Sequence, residues 1–288
     1  MKVFLVGNRG QLGLSLAETA PAAIDHAGGD LPELDITDPQ ALQALLTAEN
    51  PDFVVNAAAY TAVDNAESEP DTARRVNVDG ARNVARAARD SGARMIHIST
   101  DFVFDGGKGD PYRPSDEPAP LSVYGQTKLD GETAVRDTTG GDAIVIRTAW
   151  LYSRFGQNFV KTMLRLMGER DRISVVDDQR GTPTWARSLA EVIWAAIGAD
   201  LPGGVYHWTD GGEASWCDFA AGIYAEARDA GMLDREVTIC PIPTAEYPTP
   251  ARRPAYSVLD CSATVEALGL EQRHWASRLQ QMLAEMRN

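Results

Sequence analysis

The sequence predicts an α/β fold, a doubly wound parallel sheet followed by a smaller C-terminal lobe, on three observations. Short unbroken apolar runs alternate with amphipathic stretches through the first 150 residues, a glycine-spaced turn follows the first run, and the rhythm loosens beyond it.

The apolar runs are KVFLVG (2 to 7), AAID (22 to 25), DFVVNAA (52 to 58), RMIHIST (94 to 100) and DAIVIRTAW (142 to 150). Helical patterns over 11 to 20, 39 to 49, 71 to 91 and 122 to 137 separate them. Strands covered on both faces read as continuous hydrophobic runs, which is the pattern of a parallel sheet between two helical layers. Later come helices near 157 to 168, 185 to 198, 215 to 230 and 275 to 286, with strands RISVV (172 to 176) and VYHW (205 to 208). The proline cluster PIPTAEYPTPARRP (241 to 254) reads as an ordered loop. The expected division is a cofactor-binding domain over 1–150 and a mainly substrate-binding lobe over 151–288, some of whose segments return to the first domain.

A chain of 288 residues, 44% hydrophobic and 24% charged, can bury one large core, or one large core plus a smaller appended lobe. Its formal net charge of -14 excludes a nucleic-acid partner, because a phosphate backbone demands a basic face. An anionic small ligand would need local arginines, for which Arg147, Arg180, Arg252 and Arg253 are candidates. No apolar run approaches the roughly 20 residues of a membrane helix, and MKVFLVGNRG reaches polar residues too soon for a secretory signal, so a cytoplasmic protein is expected. Cys217, Cys240 and Cys261 are odd in number and without a C-x-x-C pair, hence reduced and structural; His26, His97, His207 and His274 are scattered, so no metal cluster is indicated.

Gly7, Gly10 and Gly13 form G-x-x-G-x-x-G at the junction of the first strand and first helix. That spacing allows a tight turn, close approach of backbone to a pyrophosphate, and a helix N-terminus facing the anion, as in a Rossmann-type dinucleotide site. Asp25, at the end of the second expected strand, would accept from the adenosine ribose and favours NADH; Arg9 could instead pair with a 2'-phosphate, which leaves NADPH open.

Tyr124 and Lys128 share a helix face by their i, i+4 spacing, and lysine occurs elsewhere only at positions 2, 108 and 161. Reducing a ketone with hydride leaves an alkoxide that must take a proton, and a phenol supplies one if a nearby ammonium lowers its pKa toward neutrality. Thr100, closing the fourth strand, would donate to the developing oxyanion.

At these residues the chain resembles the extended short-chain dehydrogenase/reductase superfamily and, within it, the dTDP-4-dehydrorhamnose reductases. The likeness spans nearly the whole sequence, through GNRGQLG (7 to 13), LDITD (34 to 38), VVNAAAYTAVDNAESEP (54 to 70), STDFVFDG (99 to 106), VYGQTKLDGE (123 to 132), RTAWLY (147 to 152), DQRGTPT (178 to 184) and YPTPARRP (247 to 254). It implies NADPH- or NADH-dependent reduction of the C4 ketone of dTDP-4-dehydro-L-rhamnose to dTDP-L-rhamnose, the last step in making that sugar nucleotide for bacterial cell-surface polysaccharide. It further implies that Gly10, Gln11 and Leu12 hold the pyrophosphate, Asp25 the ribose, and Asp35 with Ile36 the adenine. Ala59, Tyr60 and Thr61 would line the path to the nicotinamide. Thr100, Asp101 and Trp150 would contact the sugar, Tyr124 would donate the proton, and Lys128 would assist it. Arg180, Arg252 and Arg253 offer charge for the diphosphate. The resemblance also allows magnesium at a dimer contact, although no carboxylate cluster identifies such a site, and a monomer or homodimer.

Two rivals share these features. A nucleotide-sugar epimerase or dehydratase uses the same loop and Tyr-x-x-x-Lys, but a dehydratase shows an Asp-Glu pair after the threonine where this chain has Asp101 and Phe102. A non-catalytic regulatory subunit of this fold, like the regulatory partner of methionine adenosyltransferase, would not need an intact Thr100, Tyr124 and Lys128.

Overall fold

The first strand, β1 (Lys2–Val6), is KVFLV and buries four of its five residues, as an interior strand of a parallel sheet must. In the computed structural model, which describes residues 1–287, it pairs in parallel with β2 (Asp25–Gly29) on one side and β3 (Phe53–Asn56) on the other. Outside β3 lie β4 (Arg94–Thr100), β5 (Ile144–Thr148) and, at the edge, the strand Gly204–His207, all parallel.

One face of this six-stranded sheet packs against α1 (Gln11–Thr19) and the helix Ala186–Gly198, through Leu12, Leu16, Leu189 and Ile193. The other is covered by α2 (Pro39–Glu49), α5 (Ala81–Asp90) and α6 (Val123–Thr138), through Leu42, Leu46, Val84 and Val135. Two short helices, α3 (Val63–Ser68) and α4 (Pro70–Arg74), lead from β3 toward α5. A second core, around Tyr152, Val160, Met163, Phe219 and Leu279, builds the C-terminal lobe.

Three sequence expectations need correction, and a fourth is made specific. The second strand runs 25 to 29, not 22 to 25, because DHAGG is a largely uncovered edge and carries no apolar run. The helix expected over 71 to 91 is broken by a π-helical turn, Arg75–Gly80. VYHW is one of the later segments that return to the first domain: Val205, Tyr206 and His207 pair with β5 in the main sheet. The proline cluster begins within a strand, Thr238–Ile242, which pairs in parallel with Arg172–Val176. Among the described residues no helix is long and apolar enough to cross a membrane.

Candidate active site

The carboxyl ends of β1, β3, β4 and β5 open into one cleft of ≈ 800 Å³, where a doubly wound sheet binds its ligand. The glycine turn forms one wall. Gly7 has φ +82°, and a Cβ there would lie 2.8 Å from the Ala58 nitrogen; a Cβ on Gly13 would lie 2.2 Å from the Gly7 carbonyl oxygen. Gly10 caps α1 without a side-chain hydrogen bond, so the N–H groups of Gln11, Leu12 and Gly13 at the cleft wall remain for an anion. A cradle of this shape, with Asp35 and Ile36 farther along, fits a dinucleotide.

The chemical end is built on α6. Ser122 caps it, accepting from the Gly125 N–H at 3.1 Å, and Glu67 Oε1 accepts from the Val123 N–H at 2.8 Å. The cap fixes the first turn, and successive turns then bury Tyr124, Lys128 and Glu132 on one face against β4. The Lys128 ammonium donates to the Ile98 carbonyl at 2.7 Å. Thr100 Oγ1 donates to Asp101 Oδ1 at 3.0 Å and accepts from the Phe102 N–H at 3.2 Å.

Burial dominates the electrostatics here. It pushes the Tyr124 phenol up to about 12, against the Thr100 hydroxyl and with the Asp101 carboxylate. It draws Lys128 down to about 8, opposed by Glu132. Asp101 rises to about 6 for the same reason, with the Ser257 and Thr100 hydroxyls resisting. Lys128 is not among the groups that move the phenol, its ammonium being aimed at a backbone carbonyl instead.

Glu132 is held by three hydrogen bonds from two residues. Its carboxylate accepts from Ser99 Oγ at 2.5 Å and, bidentate, from Arg147 Nε at 2.9 Å and Nη2 at 2.7 Å. Arg147 is 3% exposed and its guanidinium lies 5.1 Å from the Phe104 ring centre, so it braces β5 to α6 and is no ligand for a substrate anion.

Trp150 stands at φ +46°, a costly conformation for a bulky residue. Its indole stacks on Trp216 with ring centres 3.6 Å apart and planes 9° apart, and both line the cleft. Gln11 Oε1 accepts from Ser153 Oγ at 3.0 Å and Asn158 Nδ2 at 2.9 Å, tying α1 to the N-cap of the lobe helix Phe159–Glu169.

The cleft thus gathers Gly7, Gly10, Gln11, Leu12, Gly13, Asp35, Ile36, Ala59, Thr61, Thr100, Asp101, Tyr124, Lys128, Trp150 and Arg253. Four expected residues lie elsewhere. Asp25 pairs with Lys2 at the opposite end of the sheet from Gly7. The carboxylate at the right end of β2 is Asp30, whose Oδ2 accepts from the Arg9 N–H at 3.0 Å and Oδ1 from the Leu31 N–H at 2.8 Å. Tyr60 has its N–H bound by Asn77 Oδ1 at 2.8 Å, while its hydroxyl donates to Glu69 Oε2 at 3.1 Å, outside the wall. Arg180 is ion-paired with Glu213 and lies 3.8 Å from Asp218, and Arg252 is exposed beyond the cleft. Arg253 does face it, paired with Asp64 at 2.8 Å.

Asp30, Leu34 and Trp216 also line the cleft without having been singled out in the sequence. Asp30 follows the true end of β2 and was hidden by the misplaced strand; Trp216 opens the helix Trp216–Asp229, and nothing local marks it. Among the described residues no group of three or more His, Cys, Asp or Glu side chains converges to hold a metal ion.

Residues 1–288 match the family model described as RmlD substrate binding domain. A dTDP-4-dehydrorhamnose reductase from Burkholderia thailandensis is 42% identical over 292 aligned positions, covering 96% of this chain and 95% of that protein. A dTDP-4-dehydrorhamnose reductase from Clostridium acetobutylicum superposes with a TM-score of 0.94 at 38% identity, covering 100% of both chains. One from Bacillus anthracis, in complex with NADP, gives 0.93 at 37% identity over 99% of each.

Proposed function

The chain belongs to the RmlD substrate-binding-domain family, that of the dTDP-4-dehydrorhamnose reductases, and on that premise we propose how its cleft reduces the C4 ketone of dTDP-4-dehydro-L-rhamnose to dTDP-L-rhamnose with NADH or NADPH. One observation carries the reading: Thr100, Tyr124 and Lys128 line the same cleft as the glycine cradle.

When bound, the reduced nicotinamide supplies a hydride to C4 of the sugar. The carbonyl oxygen then becomes an alkoxide and needs one proton. Tyr124, at about 12, is protonated at neutral pH and donates it, and bulk water restores the phenol afterwards. The Thr100 hydroxyl steadies the oxygen as its charge grows. Lys128, held by Ile98, places a positive charge behind the departing proton and is the group that would hold the nicotinamide ribose. The first turn of α1 would hold the pyrophosphate, and Asp30 would take the ribose role expected of Asp25.

Residues 1–150 supply the cofactor half and the lobe beyond supplies the sugar-nucleotide half. The helix Ala186–Gly198 and the strand Gly204–His207 return to the cofactor half, where they complete its sheet and cover. Trp150 on Trp216 forms a flat apolar wall for the deoxysugar, and Arg253 faces the diphosphate.

The test is incubation of the full chain with dTDP-4-dehydro-L-rhamnose and each reduced coenzyme, following nicotinamide absorbance and product identity. Stoichiometric oxidation of the coenzyme with formation of dTDP-L-rhamnose supports the reading. Sugar turnover without net coenzyme loss would favour the epimerase instead.

A further inference from the structure

We propose that Glu33 selects the coenzyme, by neutralising Arg9 and so turning the adenosine end of the cleft toward NADH and away from NADPH. The inference rests on the reading that this cleft takes a nicotinamide dinucleotide.

The end of β2 is where a doubly wound sheet meets the adenosine ribose. Arg9 is the basic side chain there, and a guanidinium is the group that would recognise a 2'-phosphate. It is engaged already. Arg9 Nη1 lies 2.8 Å from Glu33 Oε2 and donates to the Leu31 carbonyl at 2.9 Å. The bond from Arg9 holds the Glu33 carboxyl below the usual carboxylate range, so the two stay paired as ions at neutral pH.

The surrounding charge works in the same direction. Asp30 and Asp35 line this end of the cleft, and with Glu33 they set three carboxylates against one guanidinium. Asp30 is fixed by two backbone N–H groups, presenting a carboxylate to ribose hydroxyls and repelling a phosphate in their place. The other arginine of the cleft, Arg253, is paired with Asp64 and belongs to the sugar-nucleotide half rather than to the end of β2. Glu33 itself lies outside the cleft wall, so it acts on Arg9 rather than on the ligand.

Arg9 and Glu33 are both more than half exposed, so their pairing is weak and reversible. Removing Glu33 frees a guanidinium already positioned beside the ribose site. The preference is therefore expected to be a bias that one substitution shifts.

The test is direct binding of NADH and of NADPH to the full chain by calorimetry, without sugar nucleotide. The wild-type chain is expected to bind NADH at least about threefold more tightly, and Glu33→Gln to tighten NADPH about fivefold, the scale of one exposed ion pair, with NADH changed less than about twofold. Adding Arg9→Ala to Glu33→Gln should abolish the gain. Equal or tighter NADPH binding by the wild type, an unchanged NADPH to NADH ratio in Glu33→Gln, or a gain that survives Arg9→Ala overturns the proposal and leaves the reductase reading standing. Failure of both coenzymes to bind overturns that reading and the proposal with it.

Discussion

Lys128 reaches across from α6 to the Ile98 carbonyl of β4, 2.7 Å from its ammonium, two residues before Thr100. The helix that carries the phenol is thereby tied to the strand that carries the hydroxyl. Because Tyr124 and Lys128 are one helical turn apart, fixing the lysine also fixes the tyrosine beside Thr100. The pair is held in place through the backbone of the sheet as well as through its own spacing.

The alkaline limb of activity should therefore belong to Lys128. Its pKa is drawn to about 8 by burial, whereas Tyr124 stands at about 12. The charged lysine exists below its pKa, so kcat/KM is expected to hold through neutrality and fall above about pH 8. Tyr124→Phe should lower kcat by about a hundredfold or more, the scale of a lost general acid. Steady-state profiles check both, and an alkaline break only near the ordinary lysine value of 10.5 would count against the assignment.

At the other end of the cleft, Asp30→Asn is expected to weaken NADH about tenfold, as loss of charge-assisted hydrogen bonds to ribose hydroxyls would. Asp25→Asn should leave binding unchanged, since Asp25 sits at the far end of β2 beside Lys2. Fluorescence titration of the two variants separates the assignments. A larger loss in Asp25→Asn would reverse them.

That contrast shows what could be read from the residues. β1 and β5 are legible because burial on both faces demands unbroken apolar runs. β2 is an edge strand with DHAGG, mostly unburied, so no hydrophobic signal marks its limits and the acidic residue at its end was misplaced. Tyr124 and Lys128 were legible because a helix converts four-residue spacing into a shared face. The Trp150–Trp216 stack depends on folding the lobe back over the sheet, which no local pattern encodes. For Arg147 and Arg180 the charge was plain but the partners, Glu132 and Glu213, were not.

The Trp150 wall can be tested from behind. A Cβ on Gly181 would lie 2.6 Å from Trp150 Cε2, and the indole cannot retreat because Trp216 stacks on it. Gly181→Ala should tilt the wall and raise KM for the sugar nucleotide about tenfold, the scale of a small misplacement near reacting groups. NADH affinity should stay the same. An unchanged KM would place the sugar elsewhere.

Glu132 lies between stability and catalysis. Its substitution by Gln leaves the buried Arg147 charge without a counter-ion, at a cost of about 3 to 5 kcal/mol, so thermal unfolding should move to markedly lower temperature. The same substitution removes the carboxylate that opposes the burial effect on Lys128, and the alkaline break in kcat/KM should move to lower pH. Loss of stability with an unmoved break would reduce Glu132 to a structural brace.

Asp101 gives a pH dependence in stability rather than in activity. Burial raises its carboxyl from 3.8 to about 6, so between those values the folded chain binds more protons than the unfolded one. Stability must then fall as pH rises through that window, and above it the protein carries a buried ionised carboxylate at a net cost. Asp101→Asn removes the titration and keeps a side-chain oxygen for the Thr100 hydroxyl. The variant should gain melting temperature over the wild type at about pH 8, and the gain should shrink toward about pH 4, where both side chains are neutral. Thermal melts at the two values decide it: a difference that does not change with pH would mean that Asp101 is not held in the protonation balance its burial implies.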